Sequence, residues 1–140
     1  MSAPGRLAAL ALISAAFAAG CSGGSGSSTA DQFPVVVTGS SGMLRVTLTA
    51  PTAPIVGTDE MELTVARISD GSPQAGLSLA VVPWMPAMDH GTSATPTVTE
   101  EGGGKYRIEN LYLYMPGTWS LKTTFTGAVS DHAEPTFQLQ

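Results

Sequence analysis

Trp84-Met85-Pro86-Ala87-Met88-Asp89-His90-Gly91 puts two thioethers, an imidazole and an indole within seven consecutive residues of a chain with six Met, two His and two Trp. Thioether sulfur is soft and neutral, and it stays a ligand under oxidising conditions that consume a free thiol. Methionine with one imidazole favours Cu(I) over zinc, magnesium or calcium. Met85, Met88 and His90 are therefore the candidate metal ligands, and a copper ion is the candidate cofactor. The Trp84 ring is a candidate cation–π lid over the ion. Asp89 is the candidate partner for the second ring nitrogen of His90. A plainer reading stands beside this one. Methionine also fills irregular core gaps, so Trp-Met-Pro closes one end of a core or forms an apolar patch that docks another envelope protein.

Two prolines set the backbone that must carry these groups. Pro86 disfavours helix at Met85, and Pro83 does the same at Val82. The stretch from Val82 to Met85 is thus expected to be extended, leaving the end of a buried strand, Leu77–Val81. Gly91 and Thr92-Ser93-Ala94-Thr95-Pro96 predict a loop on the far side, so the motif is expected at a strand end and rim loop.

The rest of the chain is written in period two. Leu44, Val46 and Leu48 alternate with polar residues, as do Met61, Leu63 and Val65, and Trp119, Leu121, Thr123 and Phe125. That alternation predicts antiparallel strands with one wet face. Val35–Thr38, Tyr106–Ile108, Leu111–Met115 and Thr136–Leu139 complete the expected strands. Turn signals separate them at Pro51 to Pro54, Asp70-Gly71-Ser72-Pro73, Gly102-Gly103-Gly104 and Met115-Pro116-Gly117. No helical repeat follows residue 30. About seven short strands without helices predict an all-β, immunoglobulin-like antiparallel sandwich lacking the immunoglobulin cysteine pair.

The first thirty residues read differently. Arg6 precedes an apolar run from Leu7 to Ala19, too short for a span of about 20 residues but suited to a signal peptide. Ala19-Gly20-Cys21 resembles the lipobox of bacterial lipoproteins, with Ala18 where a branched aliphatic residue is usual. Cys21 is the only cysteine and has no internal partner for a disulfide. Lipidation would account for it, and an ordinary cleaved leader with a spare thiol is the alternative. The expected organisation is a leader over 1–20, a lipidated Cys21 and Gly/Ser tether over 21–32, and a β-domain over 33–140. The membrane is then a partner through the Cys21 anchor. Ser22, where Asp would favour inner-membrane retention, points to the periplasmic face of an outer membrane, or to the outer cell face in a single-membrane organism.

Loss of residues 1–20 removes one of six Lys/Arg and none of eleven Asp/Glu, for a net charge of −6. Without a basic cluster, nucleic acid and electrostatic binding to anionic lipid are poor candidates. Enzyme readings are no better supported. No Gly-x-Ser-x-Gly elbow occurs, and neither histidine has a nucleophile at recognisable spacing. Gly102-Gly103-Gly104 lies between strands, so it is a hairpin and not a phosphate loop. Trp119 is expected in the core, Tyr106 in the core or at a corner with its hydroxyl on backbone, and His132 in a surface loop.

From about Leu44 to Phe125 the chain resembles the YtkA-like domain, related to the FixH family of bacterial envelope proteins. Trp84 to Gly91, Tyr106 after the glycines, and Met115-Pro116-Gly117-Thr118-Trp119-Ser120-Leu121 carry the likeness. The resemblance implies an immunoglobulin-like sandwich in the bacterial envelope. For the FixH branch it implies copper handling in respiratory oxidase assembly, although this chain lacks the membrane span of FixH proteins. It also pairs Met115 with the first motif as a further ligand, against a reading of Met115 as core beside Trp119. The expected function is a copper-binding envelope lipoprotein that exchanges copper with another envelope protein. The alternative is a metal-free interaction module.

Overall fold

A computed structural model describes residues 32–140, so the leader, Cys21 and all of the tether but Gln32 lie outside the described residues. Ten strands follow in order: β1 (Val35–Thr38), β2 (Leu44–Thr49), β3 (Gly57–Arg67), β4 (Ser78–Met85), β5 (His90–Gly91), β6 (Thr97–Gly102), β7 (Lys105–Leu113), β8 (Gly117–Thr126), β9 (Asp131–Ala133) and β10 (Thr136–Leu139). They form two antiparallel sheets, β1-β2-β3-β7-β6 and β10-β8-β4-β5, with β9 also paired to β8. Among the described residues no helix is long and apolar enough to cross a membrane.

The period-two residues meet between the sheets, as expected of a sandwich. Leu44, Val46 and Leu48 of β2, Met61, Leu63 and Val65 of β3, and Trp119, Leu121 and Phe125 of β8 all lie in one buried cluster. Their polar neighbours point outward. Each buried aliphatic or aromatic side chain adds about 1.5–3 kcal/mol, which is what fixes the register of the strands that carry the core.

Ten strands replace the expected seven, and the three extra ones are those with little apolar pattern. The β6 sequence Thr-Val-Thr-Glu-Glu-Gly is an exposed edge strand, β5 is two residues long, and β9 carries His132, which is therefore a strand residue and not a loop residue. The expected strands Tyr106–Ile108 and Leu111–Met115 merge into one continuous β7 that stops at Leu113, leaving Tyr114 and Met115 beyond the strand. Asn110, at φ 56°, inserts an extra residue there, so Ile108 and Leu111 both face inward across the break in period.

Two polar latches join the sheets at the end where β2 begins and β8 stops. Asp131 is 1% exposed, and its carboxylate accepts the backbone N–H of Ser41 at 2.8 Å, His132 at 2.8 Å and Leu44 at 3.2 Å. Gly39 leaves the room it needs, because a Cβ there would lie 2.0 Å from a carboxylate oxygen. Nearby, the Tyr106 hydroxyl donates to the Gln74 carbonyl at 2.9 Å and accepts from Leu77 N–H at 3.2 Å. This is the corner role expected for Tyr106.

Candidate functional site

The motif lies at the opposite end, where β4 and β7 finish and β8 begins. Strand β4 does not stop at Val81. It runs through Pro83 to Met85, pairing with β8 as far as Trp84↔Ser120. The chain then reverses over Pro86-Ala87-Met88-Asp89. Met88 N–H donates to the Met85 carbonyl at 3.1 Å, with Pro86 at the turn position that its fixed φ suits. Asp89, at φ 53°, completes the reversal, so His90 faces Met85 and Gly91 faces Trp84. The expected loop is thus a tight hairpin.

That register decides which groups meet. Met85 and His90 are cross-strand partners, so their side chains project from one face of the sheet. Met85 points into the sandwich and is 3% exposed, while His90 lies exposed beside it on the rim. The Met85 methyl ends at Gly117, where an added Cβ would lie 2.9 Å from it. This brings the thioether up to the Met115-Pro116-Gly117 turn. Met115 is half-buried against the core, and its carbonyl accepts the Trp119 indole N–H at 3.0 Å. Met88 stands on the hairpin turn, 50% exposed.

The partner of His90 is Tyr114, not Asp89. The Tyr114 hydroxyl lies 2.6 Å from His90 Nδ1, and the two rings stack with centroids 6.0 Å apart. Tyr114 is itself held edge-on by Trp119 at 5.4 Å and flanked by Tyr112 at 6.2 Å. Only the run of aromatics in Leu111-Tyr112-Leu113-Tyr114 ahead of Met115 hinted at it. At the same end, Asp59 accepts Ile55 N–H at 3.0 Å. Burial raises its pKa, partly offset by that bond.

Trp84 points the other way. It alternates out of phase with Pro83 and Met85, onto the outer face of the sheet, where the Lys122 ammonium sits 4.0 Å from its ring centroid. The cation on the Trp84 face is therefore Lys122, and the ring does not share a face with Met85 and His90. His132 is also apart from the motif. It lines an open groove of about 560 Å³ with Ser40, Lys122, Thr124 and Glu134, and its Nδ1 is 3.3 Å from Thr124 Oγ1.

Among the described residues no three His, Cys, Asp or Glu side chains gather as a metal set. A metal held at the rim would rest on thioether sulfur and one imidazole, a donor set that suits a soft monovalent ion and not a hard divalent one. The residues present fit copper in that respect.

No curated protein and no solved structure matches the chain. The family model described as YtkA-like matches residues 40–124, which take in β2 to β7, most of β8, the hairpin motif and the Met115 turn. The chain belongs to the YtkA-like family.

Proposed function

We propose that this YtkA-like protein is a lipid-anchored envelope protein that binds Cu(I) at the sandwich rim for storage or delivery. Met85, His90 and Met115 would hold the ion from two adjoining turns, with Met88 closing over it from the hairpin. Binding, not catalysis, is the activity, and the partner is another envelope protein that takes or gives copper by ligand exchange. The observation that carries this reading is the 2.6 Å contact between His90 Nδ1 and the Tyr114 hydroxyl. A metal-binding imidazole commonly gives its second ring N–H to a fixed acceptor, which orients the free nitrogen. In the tautomer that gives Nδ1–H to the Tyr114 oxygen, the Nε2 lone pair is left for a ligand.

Competition for Cu(I) against a chromophoric chelator tests it, comparing wild type with Met85→Leu/Met88→Leu. Leucine conserves volume, so the fold survives while two sulfurs are lost. Tight uptake by wild type and weak uptake by the variant is expected. Equal, weak uptake by both would discard copper and favour the metal-free docking module, for which the half-exposed Met88 is the supporting observation. The anchor is tested separately by lipid incorporation at Cys21 against Cys21→Ser.

A further inference from the structure

We infer that the rim end of the sandwich is the membrane-facing end, and that its apolar tips rest on the interface of a zwitterionic bilayer. The inference uses the lipid anchor of the proposed function but not copper.

The first support is where the chain enters the fold. Strand β1 runs from Val35 toward the Asp131 latch, so the residues before it lead back toward the rim. Gln32 marks the entry point. Its side-chain amide donates to the Gln138 carbonyl at 2.8 Å and accepts Gln138 N–H at 2.5 Å. Gln138 pairs with Thr118, and Leu139 pairs with Gly117 at the rim turn. From Cys21 to Gln32 there are eleven residue steps, which span at most about 40 Å. The sandwich is itself about 36 Å long, from the eleven residues of β3. Turning the latch end to the bilayer would need those steps almost fully drawn out along the whole domain. Facing the rim to the bilayer needs no such extension.

The second support is what the rim exposes. Ile55 at 62%, Val56 at 45%, Met88 at 50% and Tyr112 at 43% are half of the eight large hydrophobic side chains left exposed among the described residues. Register places them across one end. Gly57, next to Val56, pairs with Leu113, Thr58 pairs with Tyr112, and Tyr112 reaches the Met88 hairpin through Tyr114 and His90. Aliphatic tips with a tyrosine suit the water–lipid interface. Contact this small binds weakly alone, and the anchor supplies the effective concentration that makes it persistent. Asp59, Glu60, Asp89 and Glu109 at the same end repel anionic headgroups, which is why the surface is zwitterionic. Any protein that exchanges ligands with the rim must then approach along the membrane plane.

The test uses the full lipidated protein in phosphatidylcholine vesicles with a nitroxide on a fraction of the headgroups. A fluorophore is placed by Ala87→Cys at the rim or by Ser69→Cys at the latch end. The rim label is expected to be quenched several-fold more than the latch label, and Ile55→Glu/Tyr112→Glu should abolish the difference. Equal quenching at both ends, or stronger quenching at Ser69→Cys, would overturn the orientation while leaving the anchor intact. If Cys21→Ser protein floats with vesicles as well as wild type, the lipoprotein reading fails and takes this inference with it.

Discussion

At the latch end of the sandwich, a buried carboxylate and a buried phenol are saturated by backbone: three N–H groups on Asp131, and a carbonyl and an N–H on Tyr106. At the rim, exposed His90 meets another side chain, Tyr114, and the sulfurs of Met85, Met88 and Met115 carry neutral lone pairs. One end uses up its hydrogen-bonding capacity to tie sheet to sheet. The other keeps acceptor capacity in hand, on residues that two adjoining turns carry. Substitutions should therefore separate cleanly, with latch variants losing stability and rim variants losing ligand.

The largest effect is expected from Asp131→Ala. Three backbone donors lose a charged acceptor inside the protein, at a cost of about 3 kcal/mol in denaturant unfolding, with Cu(I) affinity unchanged. Burial raises the Asp131 pKa, but the N–H groups of Ser41, His132 and Leu44 outweigh it and hold the pKa below the ordinary carboxylate value. A depressed folded pKa means stability that is present above the unfolded pKa and lost as pH falls through the folded one. Wild type should thus lose stability steeply below about pH 4, and Asp131→Asn should show a flatter acid profile. A rim variant with the same stability loss would erase the distinction between the ends.

His90→Ala comes next. The side chain is exposed, so unfolding should shift by under about 0.5 kcal/mol. Removal of the only imidazole at the rim should weaken Cu(I) about a hundredfold, or about 2.7 kcal/mol. Tyr114→Phe sharpens the comparison further. It keeps the edge-on contact with Trp119 but deletes the hydroxyl that meets His90 Nδ1, and outer partners of this kind are worth about tenfold in metal affinity. The ¹⁵N shifts of the His90 ring in the metal-free variant should change as well, a readout that mere packing would leave alone.

The sandwich was legible in the sequence because burial on one face writes itself as alternation, and the strands that carry the core are those that alternate. Strands β5 and β6 bury almost nothing, and β9, which buries Asp131 and Ala133, is only three residues long, too short for alternation to show. Trp119 and Tyr106 were readable for the same reason, one in phase with its strand and the other placed after a glycine hairpin. At the rim, the prolines revealed the extended backbone of Met85 and its neighbourhood. Which face each side chain takes depends on phase, and the continuation of β4 through Pro83 sends Trp84 outward to Lys122. Tyr114 could not be found by proximity to His90, because they are 24 residues apart and meet only through the packing of two sheets.

The smallest expected effect is at the rim end of β10. Strand β10 is a sheet edge, and an open edge invites pairing with another chain. The Gln32 amide occupies the outward N–H and C=O of Gln138, as a strand residue would. Gln32→Ala should cost about 1 kcal/mol or less, since both backbone groups can turn to water. Its mark should be local, with faster hydrogen exchange at Gln138 and unchanged exchange at Leu44 beside the Asp131 latch. Faster exchange spreading to Leu44 would mean that the two ends open as one unit, and that their separate bonding schemes do not give them separate stability.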